Sequence, residues 1–541
     1  MKGLASLSNK AGKETITESI LRIVTGVFML SVMVFLTIVS LLHTTNIEYV
    51  DGEREKAVFY DDKIILNLFL LVIGVVFFFV IRPYLKKFSF KGEVTFISLW
   101  TIFFGLIWVF SSQTAVADDS GWVTNTALQF SKGDYSAFEQ DYFKYYPFQL
   151  GYVFFNEIFM RIFLVFGEIE KFLFLEVINV FLLAASYIAI MLINRKIFKN
   201  EMVQHFTVLF LMFSLQPIIF TGFLYGIIPG LAFALYAIYF EIMYLEKNKI
   251  QYGLLSAVFI ALAVMVKNNY MIVLVAMLLV ALAKLISRKK FILDAVYIVV
   301  ACVLAFSISP AVKGMYEHRS GVDLGDGIPK ICWFAMGLSE SSMAPGWYNS
   351  SCTVGNFQYA GHDADVATET AKDIIKERSE YFSENPDIRK DFFFKKVTSQ
   401  WNETSYESTW INKVQGSYQE RGEIANKVLY VKEDKVKRFM DIHTQLIFVA
   451  VLAGIISCLG KRNIYKMIFP LIILGGFLFH FMSEGKSQYI LPYFVFMSAF
   501  APYGMFCICE FLQKGFNPID KKFGITDKLQ CVINKVKDLD Q

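Results

Sequence analysis

About twelve apolar runs of membrane-spanning length divide this chain, and they constrain its fold more than any other feature of the sequence. A run of roughly 20 apolar residues satisfies its backbone hydrogen bonds inside lipid by forming a helix. Composition agrees, because 55% of the residues are hydrophobic and only 18% are charged. The sequence therefore predicts an all-α polytopic membrane protein. The runs cover residues 19–43, 63–81, 94–112, 172–193, 204–220, 226–243, 253–267, 270–286, 291–310, 443–459, 464–481 and 489–511.

Lysine and arginine residues collect in six clusters between these runs, all on one side of a twelve-span topology. The positive-inside rule makes that side cytoplasmic. We therefore expect a multi-pass protein of the cell membrane with both termini in the cytoplasm, the first run being a retained span. The clusters are Arg82, Lys86, Lys87 and Lys91; Arg195, Lys196 and Lys199; Lys247 and Lys249; Arg288, Lys289 and Lys290; Lys461, Arg462 and Lys466; and Lys514, Lys521 and Lys522.

Two long polar regions, residues 113–170 and 311–442, then face the exterior. The sequence predicts three parts: an N-terminal transmembrane module (1–310) with an exterior loop (113–170), a small, mainly helical extracytoplasmic subdomain (311–442), and C-terminal transmembrane helices with a cytoplasmic tail (443–541). The sequence has no Gly-rich phosphate-binding loop of the Walker or Rossmann type. A net charge of +4 does not indicate a nucleic-acid partner. These features argue against ATP-driven transport and nucleotide-sugar chemistry inside the cell, so we expect the functional site on the exterior side.

The exterior subdomain has helical and cysteine signals of its own. The stretches 366–382 and 385–401 read as helices, the second with Asn385 as cap and Pro386 at its first position. Cys332 and Cys352 are the exterior cysteines, and a disulfide between them is a possibility that the sequence leaves open.

The exterior loop 113–170 carries the most specific motif. Asp118 and Asp119 follow directly after an apolar run, in "VADDSGWVTNTALQF". A turn at "KGDY", an aromatic and proline segment "YFKYYPFQLG" and an apolar segment "YVFFNEIFMRIFLVFG" come next. The last of these suits a helix lying in the membrane interface.

This order of elements resembles the first exterior catalytic loop of the GT-C superfamily of membrane glycosyltransferases, which includes protein O-mannosyltransferases and bacterial lipid A aminoarabinose transferases. "SEGKSQYILPYFVF" at 483–496 is similar to the segment where a late span of that superfamily begins, and "VKNNY" at 266–270 is similar to a turn between two of its spans. The chain departs from the pattern in two ways. Its acidic loop follows the third predicted span and not the first, and Gln488 stands where the pattern has arginine.

The resemblance implies an enzyme of the GT-C fold. It would transfer a sugar from a polyprenyl phosphate, here undecaprenyl phosphate as in Gram-positive members, to an extracytoplasmic glycan of the cell envelope, such as a cell-wall polysaccharide or teichoic acid. Such a transfer needs a carboxylate to accept the proton of the acceptor hydroxyl and cations to stabilise the leaving phosphate. Single displacement inverts the anomeric carbon. Asp118 is the predicted base and Asp119 its partner, with the two roles open to exchange.

The other predicted site residues come from several parts of the chain. No metal site and no cofactor are predicted, although a pair of acids leaves dependence on a divalent ion open. The residues predicted to bind the donor phosphate are Lys486, Lys267 and Arg319, and those predicted to contact substrate are Tyr146, Glu484, Gln488, Tyr489 and Trp347.

Each of these assignments has a structural alternative. Acids at a helix start are commonly solvated caps, and Lys267 at a span end is typical of a lysine that extends to the membrane surface. Glu484, Lys486 and Tyr489 are also typical of an interface anchor. Arg319 is as well suited to a salt bridge, and aromatic residues such as Trp347 more often belong to a core.

Two other functions compete with the glycosyltransferase. One is a ligase or polymerase of the O-antigen type, which transfers a whole glycan from polyprenyl diphosphate and favours Arg and His over paired acids. The other is a flippase or secondary transporter for lipid-linked glycans, which predicts ionisable residues inside the spans and inverted repeats. The strong charges of this chain lie mainly at span ends, which favours the enzyme.

Overall fold

The computed structural model describes residues 14–50, 52–169, 172–288, 290–416, 420–460 and 463–523. Among them, eleven helical stretches are long and apolar enough to cross a membrane, or twelve if one bent pair of helices counts as a single span. The prediction of a helical polytopic membrane protein is confirmed. The two chain ends that were predicted to be cytoplasmic, and Lys289, Lys461 and Arg462 of the basic clusters, lie outside the described residues.

In the N-terminal part, long apolar helices are interrupted by shorter ones. Its helices are α1 (Ile16–Leu42), α2 (Ile64–Leu85), α3 (Phe90–Ser112), α4 (Asp118–Ser131), α5 (Tyr142–Tyr145), α6 (Leu150–Phe163), α7 (Leu173–Phe198), α8 (Glu201–Phe213), α9 (Leu215–Ile219), α10 (Ile227–Lys247), α11 (Ile250–Val266), α12 (Met271–Arg288) and α13 (Phe291–Ser320).

In the remainder, six helices of 4 to 21 residues precede three that belong to candidate spans. They are α14 (Ile331–Gly337), α15 (Val354–Tyr359), α16 (Ala364–Glu384), α17 (Pro386–Trp401), α18 (Ser408–Val414), α19 (Glu423–Asn426), α20 (Glu433–Leu459), α21 (Ile468–Met482) and α22 (Leu491–Phe523). The long helices of both parts share one hydrophobic core, which includes Tyr187, Leu235 and Phe500.

Three predicted membrane segments differ in detail from the structure. The run at 204–220 forms the bent pair Glu201–Phe213 and Leu215–Gly222, with an angle of 50° between its parts. The helix α11 has 17 residues, which is roughly 25 Å of helix. The stretch Pro147–Phe166, predicted to lie in the interface, is long and apolar enough to cross. The basic clusters share one side only if this stretch does not cross and α11 does, so the sidedness stays a prediction.

A β-hairpin that the sequence analysis did not predict follows α1. Its strands β1 (His43–Val50) and β2 (Glu53–Asp61) pair antiparallel from His43 opposite Asp61 to Val50 opposite Glu53. An isolated two-stranded hairpin is marginally stable. Here the amide of Ala57 donates to the carbonyl of Met343 over 3.0 Å, and Ile47 packs with Trp347 in a small core. The hairpin is therefore attached to the exterior subdomain.

The exterior subdomain is mainly helical, and the predicted helices at 366–382 and 385–401 correspond to α16 and α17. Pro386 occupies the first turn of α17, but the side chain of Asn385 does not cap this helix and donates instead to the carbonyl of Tyr381. The predicted limits of the subdomain, residues 311 and 442, fall inside α13 and α20.

Cys332 and Cys352 are both free and buried, so the disulfide that the sequence left open is not formed. Each thiol has another partner. The amide of Asn356 donates to Sγ of Cys332 over 3.6 Å, and Sγ of Cys352 donates to the hydroxyl of Ser339 over 3.4 Å. Burial raises the pKa of both thiols, so the two cysteines behave as small hydrophobic residues of the subdomain core.

Candidate functional site

A cavity of about 1160 Å³ lies where the exterior loop, two inter-helix turns and the subdomain meet. It brings together six of the ten predicted site residues, which come from sequence positions more than 300 residues apart. They are Asp118, Asp119, Tyr146, Lys267, Glu484 and Tyr489.

Asp119 is held in the cavity by two hydrogen bonds. Its Oδ1 accepts a hydrogen bond from the hydroxyl of Tyr142 over 3.0 Å, and its Oδ2 accepts one from the hydroxyl of Tyr225 over 2.9 Å. The amide of Gln149 in turn donates to the Tyr225 hydroxyl over 2.8 Å. Two phenol donors, one on each oxygen, therefore fix the orientation of the carboxylate.

Local structure explains how Asp119 reaches this position. The helix α4 begins at Asp118, and the amide of Ala117 donates to the hydroxyl of Ser120 in the first turn. Acids in the first turn of a helix are stabilised by its dipole. Both acids thus lie at the helix start, but the N-cap residue is Ala117, and a position at the helix start does not account for the two tyrosines that bind Asp119.

Asp118 lies at the rim of the same cavity. Its side chain is 68% exposed, and one oxygen is 3.3 Å from a guanidinium nitrogen of Arg54 on β2. Neighbouring acids on α4 therefore have different surroundings, since Asp119 is held inside the cavity and Asp118 pairs with a cation at its entrance.

Lys267 connects α11 to the next helical segment. Its Nζ lies 3.7 Å from the ring centroid of Tyr225 and 5.1 Å from that of Tyr489. Burial lowers the pKa of Lys267 to about 8, although the charges of Asp119 and Glu484 act in the opposite direction. Tyr225 therefore contacts both groups, the acid through its hydroxyl and the ammonium through its ring.

A close backbone approach places Tyr225 there. Gly226 has a φ of +67°, and a Cβ at this position would lie 2.4 Å from the carbonyl oxygen of Val266. Only glycine allows both the left-handed conformation and this contact. The loop before α10 and the end of α11 are thereby held together.

Glu484 enters the cavity from the segment between α21 and α22. Burial raises the pKa of Glu484 to about 7, against the opposing effect of Lys486. The ammonium of Lys396 holds this segment by donating to the carbonyls of Phe481 (2.9 Å), Ser483 (2.8 Å) and Gly337 (2.5 Å). A buried lysine with three carbonyl acceptors uses its full donor capacity, so the segment is fixed to the subdomain.

Lys486 and Gln488 belong to the same segment but not to the cavity lining. The Nζ of Lys486 is 3.0 Å from Glu55 and 3.6 Å from Glu407, and the backbone N–H of Gln488 donates to Glu407 over 3.0 Å. Burial acts to lower the pKa of Lys486, but Glu55 and Glu407 outweigh it and raise this pKa. Lys486 therefore pairs with two carboxylates and does not line the cavity.

Arg319 and Trp347 are also outside the cavity lining. Arg319 pairs with Glu157 over 3.3 Å, which is the salt-bridge alternative. Trp347 has no exposed surface and donates from its indole nitrogen to the hydroxyl of Ser399 over 2.9 Å. Trp347 therefore lies in a core and presents no face to a sugar.

Four residues in or next to the cavity were not predicted from the sequence, namely Tyr142, Tyr225, Trp122 and Arg54. Tyr142 lies in the aromatic segment of the motif, but that segment gives no sign of which ring reaches the acid. Tyr225 has a weak signal, a Tyr-Gly turn at the start of an apolar helix. Arg54 had none, since its neighbourhood reads as an acidic loop. For metals, the described residues contain no group of three or more His, Cys, Asp or Glu side chains that could hold an ion.

One side of the cavity is apolar. It is lined by Ile272, Phe306 and Phe479 from three candidate spans, together with Phe334 of the subdomain. Phe306 is 62% exposed and Phe479 is 38% exposed. The cavity lining therefore combines polar groups, among them Asp119 and Lys267, with an apolar surface that suits a hydrocarbon chain. We call these four apolar residues the apolar wall.

Comparison with known proteins gives a family. A family described as "conserved hypothetical integral membrane protein" matches residues 16–504. This chain belongs to that family. No curated protein matches the chain.

Among solved structures, this member of the family is similar to an archaeal one at low identity. It is the archaeal oligosaccharyltransferase AglB from Archaeoglobus fulgidus in complex with an inhibitory peptide and a dolichol-phosphate. The sequence identity is 12% and the TM-score is 0.43, over 81% of this chain and 52% of that chain. The chain thus spans about half the length of the archaeal protein. A likeness of this degree establishes no activity.

Proposed function

We propose that this protein is a membrane glycosyltransferase of the GT-C type. It transfers a sugar from undecaprenyl phosphate to a glycan of the cell envelope, such as a wall polysaccharide or teichoic acid, on the extracytoplasmic side. The observation that carries the proposal is the arrangement of Asp119 and Lys267 around Tyr225, in a cavity with an apolar wall.

Asp119 is the base in this proposal, and Asp118 takes the accessory role. The carboxylate of Asp119 accepts the proton of the acceptor hydroxyl while that oxygen attacks the anomeric carbon. The bond from the anomeric carbon to the phosphate oxygen breaks, and the phosphate leaves with the electron pair. Attack from the opposite face inverts the anomeric centre. The two tyrosine donors support Asp119 in this role because they hold it in one orientation.

Lys267 supplies positive charge where the phosphate leaves. Its ammonium faces the cavity between two tyrosine rings. A cation in a partly buried site stabilises developing negative charge more strongly than one in water. The apolar wall of Ile272, Phe306, Phe334 and Phe479 suits the prenyl chain, which would lie between the helices while its phosphate reaches Lys267.

Sugar transfer in proteoliposomes tests the proposal. Wild type, Asp119→Asn and Asp118→Asn are each given radiolabelled undecaprenyl-phosphate sugars and cell-envelope acceptor. We expect labelled polymer with wild type, a loss of about 100-fold or more in kcat for Asp119→Asn, and a loss below about 10-fold for Asp118→Asn. Labelled lipid that only moves between leaflets would overturn the proposal in favour of a flippase. Transfer that occurs only when a glycan linked to polyprenyl diphosphate replaces these donors would favour the ligase.

A further inference from the structure

Four aromatic side chains follow one another along the cavity wall from the acid to the subdomain. Trp122 stacks on Tyr142 with 5.2 Å between ring centroids and 9° between planes, Tyr142 lies 5.2 Å from Tyr146, and Tyr146 lies 6.4 Å from Trp333. All four line the cavity. We call these four residues the aromatic strip.

The inner end of the strip is coupled to the acidic pair. Trp122 lies one helical turn after Asp118 and Asp119 on α4, so the three side chains share one region of the helix surface. Tyr142, beneath Trp122, donates its hydroxyl to Asp119. Trp122 nevertheless keeps 40% of its surface exposed. A flat apolar ring face is thus open to the cavity beside Asp119.

The outer end of the strip is bordered by polar groups of the exterior segments. Trp333 on α14 lines the cavity together with Lys330, Asp326, Asp365 and Thr368. Aromatic faces flanked by a few carboxylate, ammonium and hydroxyl groups suit a ligand with both C–H faces and hydroxyl edges, which is the chemistry of a saccharide.

The prenyl chain does not fit this strip as well as it fits the apolar wall. Trp333 and Phe334 are neighbours on α14 and make different contacts. The ring of Trp333 packs against Tyr146 of the strip. The ring of Phe334 packs against Phe479 of the apolar wall, with 6.4 Å between ring centroids. One short helix therefore contributes to two surfaces of different chemistry.

We propose that the aromatic strip is a binding track for a saccharide polymer, which lies across Trp333 and Trp122 and presents a hydroxyl to Asp119. This rests on the proposed function only for the reaction at Asp119. The binding itself needs neither donor nor turnover.

Direct binding tests the track in the full chain, reconstituted in nanodiscs without donor. The probe is polysaccharide released from the host cell envelope by mild acid. We expect Trp122→Ala and Trp333→Ala to weaken binding about 10-fold, since each removes one aromatic contact surface. Trp122→Phe, which keeps a ring, should recover binding to within about 3-fold of wild type.

Two matched variants separate the track from general damage. Phe334→Ala, next to Trp333 but in the apolar wall, and Tyr359→Ala, an 89% exposed aromatic residue outside the cavity lining, should leave polysaccharide binding unchanged. A wild type that does not bind the polysaccharide, or equal binding by both tryptophan variants, would overturn the track. So would binding of an envelope peptide digest that is lost in the same two variants. A protein that transfers no sugar but binds polysaccharide through the strip would refute the proposed enzyme and keep the track.

Discussion

The hydroxyl of Tyr225 donates a hydrogen bond to Oδ2 of Asp119 over 2.9 Å. The ring of the same tyrosine lies 3.7 Å from the ammonium of Lys267. The groups that the proposal assigns to proton acceptance and to phosphate stabilisation are therefore connected through one side chain. Substitutions of Tyr225 can separate the two contacts.

Tyr225→Phe removes the hydroxyl and keeps the ring. We expect kcat to fall about 10-fold or more, because a hydrogen bond to a charged group is lost, while KM for the lipid donor stays unchanged. Tyr225→Leu should lower kcat similarly and also raise the donor KM, since the cation–π contact is lost as well. Steady-state kinetics in proteoliposomes measures both. Tyr187→Phe is the control, because no described residue forms a hydrogen bond with the buried hydroxyl of Tyr187. An equal fall in the control would contradict the assignment.

Lys267→Arg should change the pH profile. Burial lowers the pKa of Lys267 to about 8, so its positive charge is lost as the pH rises through that value, and kcat/KM should fall with it. Arginine stays protonated throughout this range. We expect the alkaline limb of Lys267→Arg to move up by more than about one pH unit. An alkaline limb at the same pH in both proteins would show that the charge of Lys267 does not govern the reaction.

Glu484→Gln should move the alkaline limb in the opposite direction. The pKa of Glu484 is raised to about 7 by burial, so its carboxyl is ionised mainly above that pH. Its negative charge then favours the protonated form of Lys267. Removing that charge should lower the alkaline limb of kcat/KM by about half a pH unit. The pH profile measures this shift, and a shift to higher pH would be inconsistent with it.

Lys486→Met should act mainly on stability. This lysine pairs with Glu55 and with the fully buried side chain of Glu407. Removing the cation leaves buried carboxylates without it, which costs about 3 kcal/mol, and thermal unfolding in detergent should occur at a lower temperature. The double variant with Glu407→Gln should recover part of this loss. A stable Lys486→Met protein with a raised donor KM would support the phosphate-binding role that the sequence predicted.

Gly226→Ala should destabilise the protein more than Gly133→Ala. Both glycines have positive φ, +67° and +83°, so each alanine costs about 1 kcal/mol or more in backbone strain. A Cβ at Gly226 would also meet the carbonyl of Val266, whereas nothing lies within 4 Å at Gly133. We expect Gly226→Ala to cost roughly 3 kcal/mol and to reduce transfer, because Tyr225 moves with this loop. Equal melting temperatures for the two variants would contradict this packing argument.

The membrane helices could be predicted from the sequence because the signal is local: an apolar run of sufficient length must be helical in lipid. The bend between α8 and α9 lies where Pro217 cannot donate a hydrogen bond to the carbonyl of Phe213. This local signal was not used in the prediction. The sequence of the hairpin 43–61 has an Asp-Gly pair between the two strands, which is a recognised hairpin signal. The segment follows directly after an apolar run, and no strands were predicted in it.

For the site, the segments that resemble the GT-C superfamily pointed to Asp119, Glu484 and Lys267. These residues lie at helix ends, which a shared topology brings to one cavity. Lys486 was assigned as the cation nearest to Gln488 in the motif, and Arg319 as a cation just outside a span. Their partners Glu55 and Glu157 are distant in sequence. Pairing of a charge with a remote carboxylate leaves no periodic pattern to detect. The same holds for Trp347, whose burial depends on the hairpin and on α17.

Two charged residues near the tip of the hairpin fix its alignment against the rest of the protein. Arg54 and Glu55 are successive residues of β2, and a strand directs successive side chains to opposite faces. Arg54 meets the acid Asp118, and Glu55 meets the cation Lys486. A slip of one residue along this strand would place an acid against Asp118 and a cation against Lys486. The alignment of the hairpin against its neighbours is therefore encoded twice in the sign of charge, so that like-charge repulsion on both faces rejects the shifted arrangement.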